Sequence, residues 1–386
     1  MLEKIYKKLD DLGILVICIS LLALLTHNYF RGLTALWIIV GILFIKRDGY
    51  KKIGLELPIL IYIATLFLSL ISPLDLKSSY KEIYRHLYGF VAPFMIGQFV
   101  ISEEKKRKYI GVVVKSIILF FFIKTNLMVF GILPSHFGER YIPLSINPVE
   151  FSYIAGVLTI YIWVEFLREK NKNKKIFNLT FVLAIMYVIL QTKTRGAWLG
   201  LAGAVIIVYV FNSREILKNI FKSIGTFFSL IALGYIFRNS EFILRYYNRL
   251  MSITNTETDY SNTARLIAWK IGIDRFKEKI FTGWGYKVKN PYPTGPEGAN
   301  QILDHPHSDY IAYLVGGGII GLVGYLYLMI SILVKSLKNK KNMYWLIMIG
   351  IVSYILIYGV VEVLFQVSNS LFLFLVFLGV GLSERD

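Results

Sequence analysis

One cysteine, Cys18, stands in 386 residues, so neither an intrachain disulfide nor a cysteine-built metal site is possible. Acids are scarce as well: 25 Asp and Glu face 43 Lys and Arg, which leaves a formal net charge of +18. Charged residues of both signs amount to only 18% of the chain, too few to clothe a soluble protein of this size. Long polar stretches are missing too, with residues 238–307 the one extended hydrophilic segment. Histidine is rare, and two of the five, His305 and His307, stand one residue apart where that segment ends.

What the chain has in abundance is apolar sequence. It is 55% hydrophobic, with a mean hydropathy of +0.57, and the apolar residues come in blocks separated by short polar clusters. That is the pattern of an all-α polytopic membrane protein. A basic balance this large would suit nucleic acid, but the Lys and Arg recur between the blocks rather than on one soluble surface, so no nucleic-acid partner is expected. Residues 1–11 carry Lys4, Lys7 and Lys8 ahead of an apolar run, and no small-residue cleavage pattern follows. The run is read as an uncleaved first span.

A membrane-spanning helix needs about 20 apolar residues. Twelve candidates follow: residues 12–26, 33–45, 55–71, 87–101, 110–133, 149–167, 176–191, 197–211, 224–237, 310–334, 343–361 and 370–382. The positive-inside rule tests this count, because one missing span would invert every later loop. With the N-terminus cytoplasmic, the inner segments hold the clusters around Lys46, Lys105, Arg168, Arg214 and Lys338. The short outer loops hold only Arg31, Lys77, Lys81, Arg85, Arg140, Lys193 and Arg195. The expected organisation is one integral membrane domain, with nine spans in residues 1–237, an extracytoplasmic loop over 238–307 and three spans in 308–386. All five histidines, His27, His86 and His136 included, fall outside or at that boundary.

Within the long loop, residues 241–251 and 263–279 have helical spacing, and Leu266, Trp269, Ile273 and Phe276 would share one face. They read as amphipathic helices on the membrane surface. Residues 283–304 are rich in Gly, Pro and Asn and read as an irregular loop.

Candidate chemistry gathers on the outer side. Arg195, in Gln191-Thr-Lys193-Thr-Arg-Gly-Ala-Trp198, is either an interfacial arginine snorkelling beside Trp198 or a fork for phosphate oxygens, with Gly196 opening the backbone to a ligand. Arg265 opens the second loop helix, where the dipole opposes a cation; it is either solvated or functional. Arg245 and Arg249, spaced i, i+4, suit anionic headgroups or a plain interfacial role. His305 and His307 admit a metal pair lacking a third ligand, a hydrogen-bonded structural pair, or a general base kept neutral by the helix that Ser308 and Asp309 begin. Glu362, an acid in an apolar setting, would orient a histidine or pair with an arginine. Gly316, Gly317, Gly318, Gly321 and Gly324 suit close helix packing, with Gly317 and Gly321 at GxxxG spacing.

Three of these pieces in order carry a family likeness: Thr192-Lys-Thr-Arg195-Gly, Ala264-Arg265-Leu with Trp269 and Gly272 following, and His305-Pro-His307-Ser-Asp-Tyr leading into the glycines. Together with the long outer loop ahead of the histidines, they make the chain resemble the O-antigen ligase and polymerase superfamily of bacterial envelope glycan assembly. The resemblance implies a glycosyltransferase in the bacterial inner membrane with its site on the periplasmic face. It implies a glycan donor on undecaprenyl diphosphate and, for a ligase, a lipid A-core acceptor, with no cofactor and no metal. Arg195 and Arg265 would hold the diphosphate and His307 would be the base, with His305, Glu362, Arg245, Arg249, Lys193 and Trp198 around the substrates. The family motif often has Asn where this chain has Ser308. A repeat-unit polymerase with the same donor is the alternative, and a transporter for the lipid-linked glycan the second.

Overall fold

The computed structural model describes residues 8–25, 30–71, 73–213, 215, 218, 222, 240–252, 260–287, 292–294, 301–303 and 305–384. Among them the chain is helical: α1 (Leu9–Leu22), α2 (Phe30–Asp48), α3 (Glu56–Leu68), α4 (Leu76–Ile96), α5 (Glu103–Val129), α6 (Pro148–Arg168), α7 (Lys172–Gln191) and α8 (Arg195–Phe211), then α9 (Glu241–Met251), α10 (Tyr260–Glu278), α11 (Asp309–Lys338), α12 (Met343–Tyr358) and α13 (Ser368–Leu382). Four of these, α5, α6, α7 and α11, are long and apolar enough to cross a membrane, and α8, α12 and α13 are shorter apolar helices. Eleven of the twelve expected spans coincide with helices, and the remaining one, residues 224–237, lies outside the described residues.

Helix starts follow local chemistry. Asp75, Ser102, Asn147, Asn171 and Asn342 each accept a first-turn backbone N–H at the heads of α4, α5, α6, α7 and α12, and Pro148 takes the first helical position of α6. Helices α12 and α13 are buried almost all round, which is why neither shows a polar face. Around them α8 packs on α12, α4 on α13 and α3 on α11.

The bundle has two chemically distinct ends. At one, Arg47 pairs with Asp10, Lys105 with Asp11 and Arg107 with Glu169; Asn342 donates to Glu103, and the fully buried Lys106 pairs with Glu384. These are the segments expected inside. At the other end lie the loops between α5 and α6, between α7 and α8, and between α12 and α13, together with α9, α10 and the start of α11.

Several expectations change. The span expected from residue 87 begins at Leu76, so Lys77, Lys81, Arg85 and His86 belong to a helix rather than a loop. His86 is buried there, hydrogen-bonded to Glu82 and Tyr62. The segment expected to be irregular contains a short antiparallel ribbon, Tyr292–Thr294 with Gln301–Leu303. On α10 it is the small residues Ala264, Ala268 and Gly272 that are buried, while Leu266 and Ile273 face outward, because Gly272 lets the helix meet Ile311 and Val315 of α11 closely.

The glycines of α11 also serve a different purpose from GxxxG packing. Gly316, Gly317 and Gly321 make room for the buried ring of Tyr286, a loop residue. Gly318 breaks the helix at φ +64°, ψ −162°. The freed backbone groups bond to the chain before the ribbon: Trp284 N–H donates to the Val315 carbonyl at 2.8 Å, Gly285 N–H to Gly316 at 2.9 Å, and Ile319 N–H to the Ile280 carbonyl at 2.7 Å. A helix broken at membrane depth is tolerated when protein supplies such partners. Close helix contact instead uses Gly196, Gly200 and Gly203, whose faces meet Tyr354, Ile357, Tyr358 and Val361 in and just beyond α12. Only Gly324, against Thr65, keeps the expected role on α11.

Candidate functional site

The elbow between α7 and α8 is tight, with Lys193 in the left-handed region at φ 52°. It places Arg195 at the first position of α8, where the helix dipole opposes a cation, and buries it to 7% exposure. The guanidinium donates to the Ser252 hydroxyl after α9 and, at 3.0 Å, to the Asn262 side-chain oxygen on α10. The Trp198 indole N–H donates to the Ile189 carbonyl at 3.1 Å. Both loop helices are thereby tied to the start of α8.

One turn into α10, Arg265 makes four hydrogen bonds to protein: to the Val361 carbonyl at 3.2 Å, to the Ser261 carbonyl and hydroxyl, and to Glu362 Oε1. The other carboxyl oxygen of Glu362 lies 2.9 Å from His307 Nδ1. Glu362 is almost wholly buried, in the loop between α12 and α13. Burial alone would raise its carboxyl, but the His307 hydrogen bond and charge, with Arg265, outweigh that and hold it below the usual carboxylate range. The aligned groups run Arg265, Glu362, His307. Nδ1 of His307 faces a carboxylate, so it carries the proton and Nε2 is the basic nitrogen.

Backbone geometry holds His307 in place. Its φ is 47°, unusual for a residue with a Cβ. Its N–H donates to His305 Nδ1 at 3.3 Å, its carbonyl accepts from the Trp269 indole at 3.4 Å, and the two imidazoles lie 4.3 Å apart. His305 therefore supports the turn that presents His307. The next residue but one locks the partner loop. Asp309, fully buried, accepts from the Leu364 and Phe365 N–H groups at 3.0 and 3.1 Å, and its own N–H donates to the Gly359 and Glu362 carbonyls at 2.8 and 3.1 Å. Ser308, the N-cap of α11, turns its hydroxyl to the Gly359 carbonyl rather than to the helix.

Beside this chain of groups is a partly open cavity lined by Arg140, Lys193, Arg195, Arg249, Arg265 and Glu362, among others. Five cations and one acid give it a strongly positive lining, to which Thr194, Arg195 and Gly196 at the head of α8 belong. Residues 179–326 match the protein family described as O-Antigen ligase. That segment is similar to the O-antigen ligase family. That match takes in Arg195, Arg265 and His307 but less than half of the chain, and it supports a membrane enzyme of the O-antigen ligase and polymerase type. No curated protein matches the chain.

The matched segment brings Arg195, Arg265, Arg249 and Lys193 to one cavity, and Glu362, from outside that segment, joins Arg265 to His307. His305 and Trp198 lie elsewhere, and the side chain of Arg245 lies outside the described residues. Sequence reasoning passed over two residues. Arg140 was one basic residue among several in outer loops, and Asp309 read as an ordinary first-turn acid; no local signal marks either.

Proposed function

We propose that the protein is a membrane glycosyltransferase of the O-antigen ligase type, moving a glycan from undecaprenyl diphosphate to a sugar hydroxyl of lipid A-core on the outer face of the bacterial inner membrane. The observation that carries this reading is the hydrogen-bonded line Arg265, Glu362, His307 beside a cation-lined cavity headed by Arg195. The acceptor hydroxyl oxygen attacks the anomeric carbon and its proton passes to His307 Nε2, giving an imidazolium that faces the Glu362 carboxylate. The bond from the anomeric carbon to the diphosphate oxygen breaks with inversion, and the departing negative charge is met by Arg195 and its neighbour Arg265. Glu362 fixes the imidazole, while Ser308, which stands where the family motif often has Asn, turns its hydroxyl to the Gly359 carbonyl instead. Twelve spans with both termini inside fit this reading, because the basic loops gather at one end of the bundle and the cavity opens at the other.

A polymerase reading is favoured by one observation: two outer segments, 130–147 and the long loop, bring arginines to the cavity. Purified protein is incubated with lipid-linked glycan alone, then with lipid A-core added. Transfer only in the presence of the second lipid supports the ligase; chain growth without it makes the protein a polymerase; neither product, with lipid movement across vesicles, makes it a transporter.

A further inference from the structure

The loop between α5 and α6 brings a guanidinium to the cavity that the family likeness does not reach, since Arg140 precedes the matched residues. The main chain around it is anchored. Ile142, Leu144 and Ile146 are buried, the Tyr141 N–H donates to the Gln191 carbonyl at 3.2 Å, and the Arg140 carbonyl accepts from the Ser135 hydroxyl at 2.8 Å. The half-buried side chain that this loop presents makes no hydrogen bond and no ion pair among the described residues.

Its surroundings do not favour a bare cation. Burial, and then the charges of Arg195 and Arg265, lower the Arg140 guanidinium from its ordinary value. The other cations of the cavity are engaged: Arg265 with Glu362, Arg195 with Ser252 and Asn262, Lys193 with Glu139, and Arg249 with the Lys193 carbonyl. Glu362, the acid of the cavity wall, is already shared by two partners. A partly desolvated guanidinium held among like charges is unfavourable until an anion joins it.

We propose that Arg140 is a phosphate-binding residue of this site, offering the diphosphate of the lipid-linked donor a free planar fork that Arg265, committed to Glu362, lacks. The inference rests on the diphosphate reading of the cavity and deepens it. It also assigns the segment 130–147 a part in substrate binding.

The test uses the full chain in lipid nanodiscs, with inorganic pyrophosphate and a polyprenyl diphosphate as probes, and compares the parent with Arg140→Gln, Arg140→Lys and Arg195→Ala. Arg140→Gln is expected to weaken both probes by about ten- to a hundredfold. Arg140→Lys should recover only part of that, because a point charge replaces a bidentate fork. The melting temperature of Arg140→Gln without probe should stay level or rise, which a structural role would not produce. Parent-like affinity in Arg140→Gln, with binding lost in Arg195→Ala, overturns the role of Arg140 and leaves the cavity reading standing. Parent-like affinity in both variants removes the cavity reading as well. If Arg140→Gln fails to fold, parent-like affinity in Arg140→Lys defeats the proposal.

Discussion

Replacing Glu362 by Gln breaks two contacts together, because one carboxyl oxygen receives Arg265 and the other faces His307. Removing one partner of a buried pair destabilises by about 3–5 kcal/mol, so a clear fall in melting temperature is expected. Transfer should drop by about two to four orders of magnitude as the base loses its orientation. The pH dependence has a definite sign. A carboxyl lowered in the folded state contributes stability above its unfolded value, and that contribution disappears as pH falls through the lower folded value. The gap in melting temperature between parent and Glu362→Gln should therefore be full near neutrality and close below about pH 4. A gap that widens on acidification contradicts the assignment. Arg195→Lys keeps the charge but not the fork, and should lose most transfer activity; near-normal turnover would count against phosphate binding.

At the scale of elements, the break in α11 carries the site, because the turn that presents His307 leads directly into the segment packed on residues 280–286. Gly318→Ala forces a Cβ into a left-handed position against the Ile280 and Phe281 carbonyls, which should destabilise by at least about 1–3 kcal/mol. Tyr286 gives a sharper comparison. Its hydroxyl is buried without a partner among the described residues, while its ring fills the space over Gly316, Gly317 and Gly321. Tyr286→Phe should be neutral or stabilising, and Tyr286→Ala should lose about 3–5 kcal/mol by opening a cavity. Equal losses in the two variants would mean that the hydroxyl has a partner. These contacts were illegible in the sequence because GxxxG spacing records that something approaches closely, and not whether a helix or a loop residue does. Gly196 shows the same ambiguity, since it was read as an opening for ligand and its face meets Tyr358.

For the whole molecule, segregation of charge between the two ends of the bundle sets a test of orientation. Cys18 is the single cysteine, so a Cys18→Ala background accepts new labels one at a time. His136, exposed in the loop that carries Arg140, and Asn173, exposed at the head of α7, lie at opposite ends. His136→Cys should react with a membrane-impermeant maleimide on intact spheroplasts, and Asn173→Cys only after permeabilisation. The reverse labelling would place the cavity on the cytoplasmic side.

Composition and periodicity by themselves determined an α-helical membrane chain and where most helices run, because a bilayer demands long apolar segments and local capping residues mark their ends. They also marked Arg195 and Glu362 as ionisable groups at an apolar boundary and Arg265 as a cation at a helix start, and the motif order added His307. Only the tertiary structure decided which of them touch: that Glu362 joins Arg265 to His307, that Asp309 pins the loop bearing Glu362, and that Arg140 reaches the same cavity. Those partners lie 55 to 97 residues apart along the chain, a separation that packing closes and local pattern does not encode.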